Sequence, residues 1–348
     1  MGWLVKFFKG GYLPPAIDIG THGLKVVHLE KRGSEYRLIT YGSLEYEEQI
    51  FAGTEVVDSY LLADTIREFL QKLGVEDKEV SIHIPLAACF YNVISVPTDK
   101  NPEESVMNYM QSIITPEEFS QVRIDYRILP ISIEKNSIDI AIAAVKKDFL
   151  ETRKQILRQA GLNPVVIDIE PATLNNQFYL NHPESTAVPV CLVDIGASFT
   201  KIVISFGGYP YVTRNLEFGG ISITEQIQRK FMLSQEDAER LKRGETVQDI
   251  SYDEVFSSVI SSSIKKIVTE TMWTIEDFKE RFNLEVNTIY LFGGGAKTRG
   301  IVDAFRNLTE KEVLLGFPLG FAGISNHEEY AVAAGLSLRY KGDSDAKV

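Results

Sequence analysis

The chain has 348 residues, enough for two domains or one large two-lobed unit with buried cores. Its formal net charge of −12 gives little electrostatic support to nucleic-acid binding. Its two cysteines lie in apolar strand-like runs, which favours a reducing compartment over a disulfide scaffold, and no zinc-binding spacing is present. No apolar run approaches the ~20 residues that cross a bilayer.

The N-terminal segment, residues 1–13, is short, aromatic and basic. It lacks the apolar core and cleavage site of a signal peptide. Two interpretations remain for its apolar side chains, which either pack on the first lobe or dip into a membrane interface beside Lys6 and Lys9. Packing or a free tail is favoured, because one short helical turn buries little area.

The first lobe is predicted at residues 14–188, and its elements alternate between strands and amphipathic helices. A hairpin opens it, a helix follows at 59–73, and an alternating strand follows at 79–85. A compact insert is predicted at about 88–150. Its predicted elements are strands at 88–96, 122–129 and 138–143 and a helix at 103–113. A helix at 147–160 and a buried strand at 164–170 complete the lobe.

The second lobe is predicted at residues 189–348, after a polar stretch with two prolines. It opens with a strand at 190–194 and carries a helical subdomain at about 216–287. The helical stretches are predicted at 221–242 and 252–282. A strand at 288–292 then leads into a glycine loop, and a final helix is predicted at 328–340.

The two lobes open with the same phrase, Asp18-Ile-Gly-Thr-His-Gly-Leu-Lys25 and Asp194-Ile-Gly-Ala-Ser-Phe-Thr-Lys201. Each phrase lies between apolar stretches and predicts a strand, a tight glycine turn and a second strand. A single turn of this kind is usually structural. Two copies that reach a lysine at the same offset predict a duplicated α/β unit that clamps a triphosphate from both sides.

Glycine turns expose backbone N–H groups that bind phosphate oxygens, and a neighbouring carboxylate holds the accompanying Mg²⁺. Asp18 and Asp194 are the predicted metal ligands. Hydroxyls donate to phosphate oxygens and a lysine supplies a point charge. The phosphate-binding residues predicted on this basis are Gly20, Thr21, Lys25, Gly196, Ser198 and Thr200. Lys201 has the matching offset, and a solvent-facing position is left open for it.

Three further features have both a structural and a functional interpretation. The loop Gly293, Gly294 and Gly295 is weak by itself and is neither a Rossmann nor a Walker A motif, but it would let a base or ribose approach the backbone. Glu170 either caps a helix or orients a water for attack on the γ-phosphate, with equal weight. Glu239 and Lys242 form either a surface i,i+3 pair or a contact to the nucleotide's sugar.

These residues together resemble the actin-like ATPase superfamily and, within it, the PilM family of type IV pilus assembly. The turns at 18–27 and 194–203 are similar to the two phosphate motifs, and 292–300 is similar to the adenosine motif. Residues 168–174 are similar to the connecting segment. The helices that touch the ribose in this superfamily resemble residues 218–225, which include Gly220, and residues 238–242. The fold implied is α/β, a duplicated actin-like (RNase H-like) two-lobed fold with an inserted subdomain of the FtsA and PilM type.

The resemblance implies binding of ATP and Mg²⁺ between the lobes, with slow or no hydrolysis. It implies that a PilN-like N-terminal cytoplasmic peptide docks in a groove between the first subdomain and the insert. It also implies contacts with pilus or secretion platform proteins. Through these partners the protein would take a cytoplasmic position peripheral to the inner membrane. Homo-oligomerisation is left open. Partner contacts guessed from apolar character are Tyr109, Met110, Ile113, Ile114 and Phe119.

Two alternatives stay open at this stage. A small-molecule kinase of the same superfamily needs a catalytic base, for which Asp168 is the only tempting candidate. A filament-forming protein like FtsA or MreB is the other. The chain departs from its relatives at the end of the insert's helix, where Pro116 is displaced, and in the adenosine loop, where Lys297 and Arg299 replace apolar residues.

Overall fold

The computed structural model describes residues 13–33, 35–318, 321 and 327–340. The predicted N-terminal segment therefore lies outside the described residues except for Leu13, as does the end of the chain at 341–348. Among the residues that the structure describes, none of the helices combines the length and apolar character needed to cross a bilayer.

The strands form two large sheets, one smaller sheet and a short hairpin. In chain order they are β1 (Ala16–Ile19), β2 (Gly23–Arg32), β3 (Glu35–Glu45), β4 (Phe51–Ala52), β5 (Glu55–Val56), β6 (Glu79–Ile84), β7 (Cys89–Pro97), β8 (Val122–Ile128), β9 (Ser137–Lys146), β10 (Asn163–Ile169), β11 (Val190–Ile195), β12 (Thr200–Phe206), β13 (Tyr209–Leu216), β14 (Thr288–Phe292) and β15 (Glu312–Leu315).

The helices connect these strands, and a π-helical turn at Phe256–Ile260 joins two of them. In chain order they are α1 (Ser59–Lys72), α2 (Pro102–Ile113), α3 (Pro116–Gln121), α4 (Lys147–Gln159), α5 (Glu170–Asn181), α6 (Gly220–Phe231), α7 (Gln235–Lys242), α8 (Tyr252–Val255), α9 (Ser261–Phe282), α10 (Ile301–Thr309) and α11 (Ala331–Leu336).

Three helices differ from the prediction for local reasons. The stretch 221–242 forms two helices, because Met232 takes a left-handed φ of 54° and Ser234 caps the start of α7. The unpredicted α3 begins with a capping box between Thr115 and Glu118. The last helix is shorter than the predicted 328–340, and its first turn is a 3₁₀ helix at His327–Tyr330.

The two large sheets repeat one topology, which confirms the predicted duplicated two-lobed α/β fold. The first sheet has the order β10-β6-β1-β2-β3, and the second has β15-β14-β11-β12-β13. In each, the opening strand pairs antiparallel with the next strand and parallel with the strand on its other side. Asp18 is paired with Lys25 across the first hairpin, and Asp194 with Lys201 across the second. The repeated phrase therefore has the same backbone register in both lobes.

The helices α5 and α11 lie between the two sheets. Ten of the twelve residues of α5 are buried, as expected for a helix covered on all sides. The chain's last helix, α11, packs on α5 and on β1 and β2 of the first sheet. A methyl group on Gly335 would lie 1.8 Å from the carbonyl oxygen of Thr173, so the two helix backbones are in direct contact. This contact joins the two helices that separate the sheets.

The insert is a three-stranded sheet, β7-β9-β8, covered by α2 and α3. Val106 and Met110 of α2 fill its core against β9. The insert also contacts the second lobe, where the Tyr91 hydroxyl donates to the carbonyl of Pro210 at 2.7 Å. The insert therefore touches both lobes, although its sequence interrupts only the first.

Candidate functional site

A cleft of about 660 Å³ lies between the hairpin turns that open the two lobes. It gathers residues that are far apart in the sequence but were all predicted to act together. The predicted site residues that line it are Asp18, Gly20, Thr21, Lys25, Glu170, Asp194, Gly196, Ser198, Gly220, Glu239, Lys242, Gly293, Gly294 and Gly295. One predicted residue, Thr200, does not line it.

The two glycine turns have nearly the same geometry. The Gly20 amide donates to the Gly23 carbonyl at 3.0 Å, and the Gly196 amide donates to the Phe199 carbonyl at 2.9 Å. An added Cβ would lie 3.0 Å from the carbonyl oxygen of Gly23 at the first position and 2.9 Å from that of Phe199 at the second. Only glycine closes turns this tight without a shift. Because these two amides are used inside the turns, other groups at the tips must contact a ligand.

The turn tips meet across the cleft. The Thr21 hydroxyl donates to the Ser198 hydroxyl at 2.8 Å, and this bond joins the two lobes. Both hydroxyls were predicted as phosphate donors. Their contact places the two hydroxyls next to each other, within reach of one bound group.

Asp18 is buried and has two basic neighbours. Nε2 of His83 lies 2.9 Å from its Oδ1, and Nζ of Lys25 lies 3.6 Å from its Oδ2. Burial alone would raise the pKa of Asp18, but the Lys25 ammonium and the His83 hydrogen bond outweigh burial and hold that pKa well below its usual range. The carboxylate is therefore ionised at every physiological pH.

Sequence reasoning missed His83. Burial lowers the pKa of this imidazole, but its hydrogen bond and charge interaction with Asp18 outweigh burial and raise the pKa above its ordinary value. A histidine near the end of the buried strand β6, which neighbours β1, was the available signal. Recognising it required knowing that the two strands are adjacent.

Lys201 bridges two carboxylates that come from different parts of the fold. Its Nζ lies 2.9 Å from Oδ2 of Asp194 and 2.9 Å from Oε1 of Glu170. Burial lowers the pKa of this ammonium, but the two carboxylates outweigh burial and raise the pKa well above its usual value. The solvent-facing position left open for Lys201 is therefore wrong.

Glu170 is the first residue of α5, and both of its oxygens have partners. Oε1 pairs with Lys201, and Oε2 accepts the backbone N–H of Leu86 at 2.9 Å. The carboxylate thus links the start of α5 to the end of β6 and to the second lobe. It holds the cleft together in addition to lining it.

Glu239 and Lys242 are more than an exposed surface pair. Nζ of Lys242 lies 2.6 Å from Oε1 of Glu239 and also donates to the Gly220 carbonyl at 3.1 Å and the Thr224 hydroxyl at 2.8 Å. This network connects α7 to the first turn of α6 at one end of the cleft. Both side chains are partly buried and face the same space as the glycine loop.

The glycine loop that follows β14 packs directly on the second hairpin. Gly293 has a φ of 83°, and an added Cβ there would lie 2.4 Å from Oδ1 of Asp194. An added Cβ on Gly295 would lie 2.2 Å from the Ile195 side chain. The loop needs glycine because its backbone touches the strand that carries Asp194.

Two predicted roles do not match the structure. Thr200 is fully buried, and its hydroxyl donates to the carbonyl of Phe218 at 2.7 Å, so it does not face the cleft. Asp168, the candidate base of a kinase, is buried in an ion pair with Arg339 and is not among the residues that line the cleft. The kinase alternative therefore loses its proposed catalytic residue.

Comparison with known proteins agrees with this geometry. Residues 16–341 match the family model described as type IV pilus assembly protein PilM. The cell division protein FtsA of Staphylococcus epidermidis is 23% identical over 350 residues, which cover 87% of this chain and 74% of that protein.

Two solved structures extend the comparison. A PilM–PilN type IV pilus biogenesis complex is 25% identical with a TM-score of 0.79, over 95% of this chain and 99% of that one. MreB5 of Spiroplasma citri bound to ADP is 13% identical with a TM-score of 0.54, over 92% of this chain and 94% of that one. The predicted actin-like fold is confirmed.

Proposed function

Because this chain belongs to the family of type IV pilus assembly protein PilM, we propose that it binds ATP and Mg²⁺ in the cleft and docks a PilN-type peptide. The observation that carries the proposal is the gathering of both glycine turns, the third glycine loop and the buried carboxylates around one cavity. The solved MreB5 structure is described as bound to ADP, and the solved PilM as a complex with PilN, which supports each half of the proposal.

The described residues fit the phosphates of a nucleotide. The two turn tips present the hydroxyls of Thr21 and Ser198, and Lys25 supplies a partly exposed positive charge beside them. At the other end, Glu239, Lys242 and the loop at 293–295 form the wall that would receive the adenosine. The nucleotide would thus contact both lobes and hold them closed.

The carboxylates beside the turns fit a hydrated Mg²⁺. Within the described part of the chain, no group of three or more His, Cys, Asp or Glu side chains is arranged to hold a metal by itself. Mg²⁺ usually keeps several waters and uses one or two carboxylates together with the substrate's phosphates. Asp18 and Asp194 supply two such carboxylates, and the ion would neutralise charge on the phosphates.

The surroundings of Glu170 favour slow or no hydrolysis. A residue that orients an attacking water accepts the water's hydrogen bond with a carboxylate oxygen, and an oxygen already paired with a cation or an amide accepts it less strongly. Both oxygens of Glu170 are held, one by Lys201 and one by the Leu86 amide. ATP would therefore act mainly as a ligand that selects one arrangement of the lobes.

The peptide half of the proposal rests on apolar side chains of the insert. Phe90 and Met107 are exposed by 37% and 36%, and the ring of Phe90 lies 6.4 Å from that of Tyr109. Of the contacts guessed from sequence, Met110 is buried in the insert's core, whereas Ile113 is exposed by 43%. We propose that the exposed set meets the peptide and that the partner holds the protein at the inner membrane.

Calorimetry tests the nucleotide site. We expect the wild type to bind ATP in the presence of Mg²⁺ and the double variant D18N/D194N to lose about tenfold or more in affinity, because both metal-binding carboxylates are gone. The matched control is D303N, which removes an exposed carboxylate on α10 outside the cleft. Absence of ATP binding by the wild type would refute the proposal.

Fluorescence anisotropy with a labelled PilN-type N-terminal peptide tests the docking site. We expect F90A/M107A to weaken binding about tenfold, because two apolar contacts are lost. The matched control, M232A/W273A, removes two exposed apolar side chains of the second lobe and should bind as the wild type does. Equal weakening by both double variants would argue against the insert as the docking surface.

A further inference from the structure

Arg153 lines the cleft but belongs to no recognised nucleotide motif. It lies on α4, is only 5% exposed, and reaches the cavity beside Phe51 and Thr54. A buried arginine normally ends in an ion pair or in several hydrogen bonds, because an uncompensated charge is costly to bury. The partners of this guanidinium therefore indicate whether the protein itself or a bound ligand compensates its charge.

The guanidinium is nearly unpartnered. Its Nη1 is buried without a hydrogen-bond partner among the described residues, and its Nη2 makes only a long contact, 3.5 Å, to the Thr54 carbonyl. No ion pair of the described residues includes Arg153. Burial lowers the pKa of Arg153 to about 10, which still leaves the group charged at neutral pH.

Two aromatic rings hold this charge in place without neutralising it. The guanidinium carbon lies 5.1 Å from the ring centroid of Phe51 and 5.1 Å from that of Phe149. Cation–π contacts of this kind orient the planar fork without using its N–H groups as hydrogen-bond donors. An acceptor bound in the cleft would supply the partner that the guanidinium lacks.

The arginine is connected to the first glycine turn. The ring of Tyr46 stacks on Phe51 with centroids 5.8 Å apart, and the Tyr46 hydroxyl donates to the Gly20 carbonyl at 3.2 Å. Arg153 therefore lies on the side of the cleft formed by the first lobe's turn. The adenosine wall at Glu239 and Lys242 belongs to the second lobe.

We propose that Arg153 forms an anion subsite that binds the terminal phosphate of the nucleotide and so distinguishes ATP from ADP. The inference rests on the proposed function, since it requires the phosphates to lie at the turns. A guanidinium fork matches two phosphate oxygens, and its hydrogen bonds to a charged group are among the strong ones. ADP lacks this phosphate and leaves the subsite without its ligand.

Calorimetric affinities for ATP and ADP, both with Mg²⁺, test the inference on the full chain. We expect R153Q to reduce the preference for ATP over ADP about tenfold while ADP affinity changes less than about twofold. R153K keeps the charge but not the planar fork, so its preference for ATP over ADP should lie between those of the wild type and R153Q. The matched control is R158Q, an exposed arginine on the same helix, which should keep the wild-type preference.

The outcomes separate the two proposals. If the wild type binds ATP and R153Q keeps its ATP preference, or loses ATP and ADP equally, Arg153 has no role in recognising the terminal phosphate. If R153Q does not fold, the folded variant R153K is used instead. A preference for ATP over ADP in R153K equal to that of the wild type would also show that Arg153 has no role in recognising the terminal phosphate. If the wild type binds no ATP, the proposed function itself fails.

Discussion

Lys201 connects carboxylates from two different elements beside the cleft. It joins Asp194 of β11 to Glu170 of α5, and each Nζ–oxygen distance is 2.9 Å. Removing charges from water is costly, and the attraction between buried partners repays that cost only when all of them are present. Without the lysine, the two buried carboxylates would have no shared counter-ion and would repel each other.

At the residue scale we expect K201M to lower the free energy of unfolding by about 3–5 kcal/mol, because two buried carboxylates lose their shared counter-ion. Urea unfolding without nucleotide measures this. The matched variant K25M should cost about 1 kcal/mol or less, because Lys25 is 3.6 Å from Asp18 and partly exposed. Similar small losses in both variants would contradict the role given to Lys201.

At the scale of elements, the insert is tied to the second lobe through a buried carboxylate. Asp139 of β9 accepts the Ile133 N–H at 3.0 Å, the Tyr211 hydroxyl of β13 at 3.0 Å and the Ser95 hydroxyl. The Tyr211 hydroxyl also contacts the Ile131 carbonyl at 3.2 Å. A buried hydrogen bond to a charged group is stronger than a neutral one. The insert is thus held by a directional contact as well as by apolar packing.

We expect Y211F to cost about 1.5–3 kcal/mol and to speed hydrogen exchange in β9, because Asp139 loses a buried donor. Hydrogen exchange followed by mass spectrometry locates the effect. Y252F is the matched control, since its hydroxyl bonds the Arg299 carbonyl within the second lobe. Faster exchange in β9 for both variants would show that the effect does not come from the hydrogen bond between Tyr211 and Asp139.

At the scale of the whole molecule, several contacts cross the cleft that a nucleotide would enter. Nζ of Lys297 lies 2.8 Å from Oε2 of Glu329, and the other oxygen of Glu329 accepts the Ser43 hydroxyl of β3 at 3.3 Å. The bond between Thr21 and Ser198 crosses at the turn tips. These contacts are few and polar, so they hold the lobes together without preventing their separation.

We expect E329Q to speed hydrogen exchange at 43–45 and 293–298 while changing global stability by about 1 kcal/mol or less, because a partly exposed ion pair contributes little. Exchange rates compared with urea unfolding separate the two effects. D303N, which breaks an exposed pair within α10, should leave both segments unchanged. Unchanged exchange in E329Q would mean that the pair does not hold the cleft closed.

The repeated phrase was enough to predict the duplicated hairpins and the half of the cleft that they line, because strand, tight turn and strand are local properties of the chain. The side-chain alternation of a strand explains one wrong prediction. Thr200 and Lys201 are neighbours on β12 and point to opposite faces, so the lysine faces Asp194 while the threonine faces Phe218. Sequence alone did not show which face met the cleft.

The duplicated hairpins, the carboxylates at their turns and the glycine loop could be predicted from local patterns, and the repetition of the hairpin indicated two lobes. Only the folded chain shows that His83 contacts Asp18, that Arg153 lines the cleft and that Lys201 pairs with two carboxylates. His83 meets Asp18 because β6 lies beside β1, and Arg153 reaches the cleft because α4 packs near the hairpin of Phe51. The physical reason is that burial and charge pairing depend on neighbours distant in the chain, which local patterns do not contain.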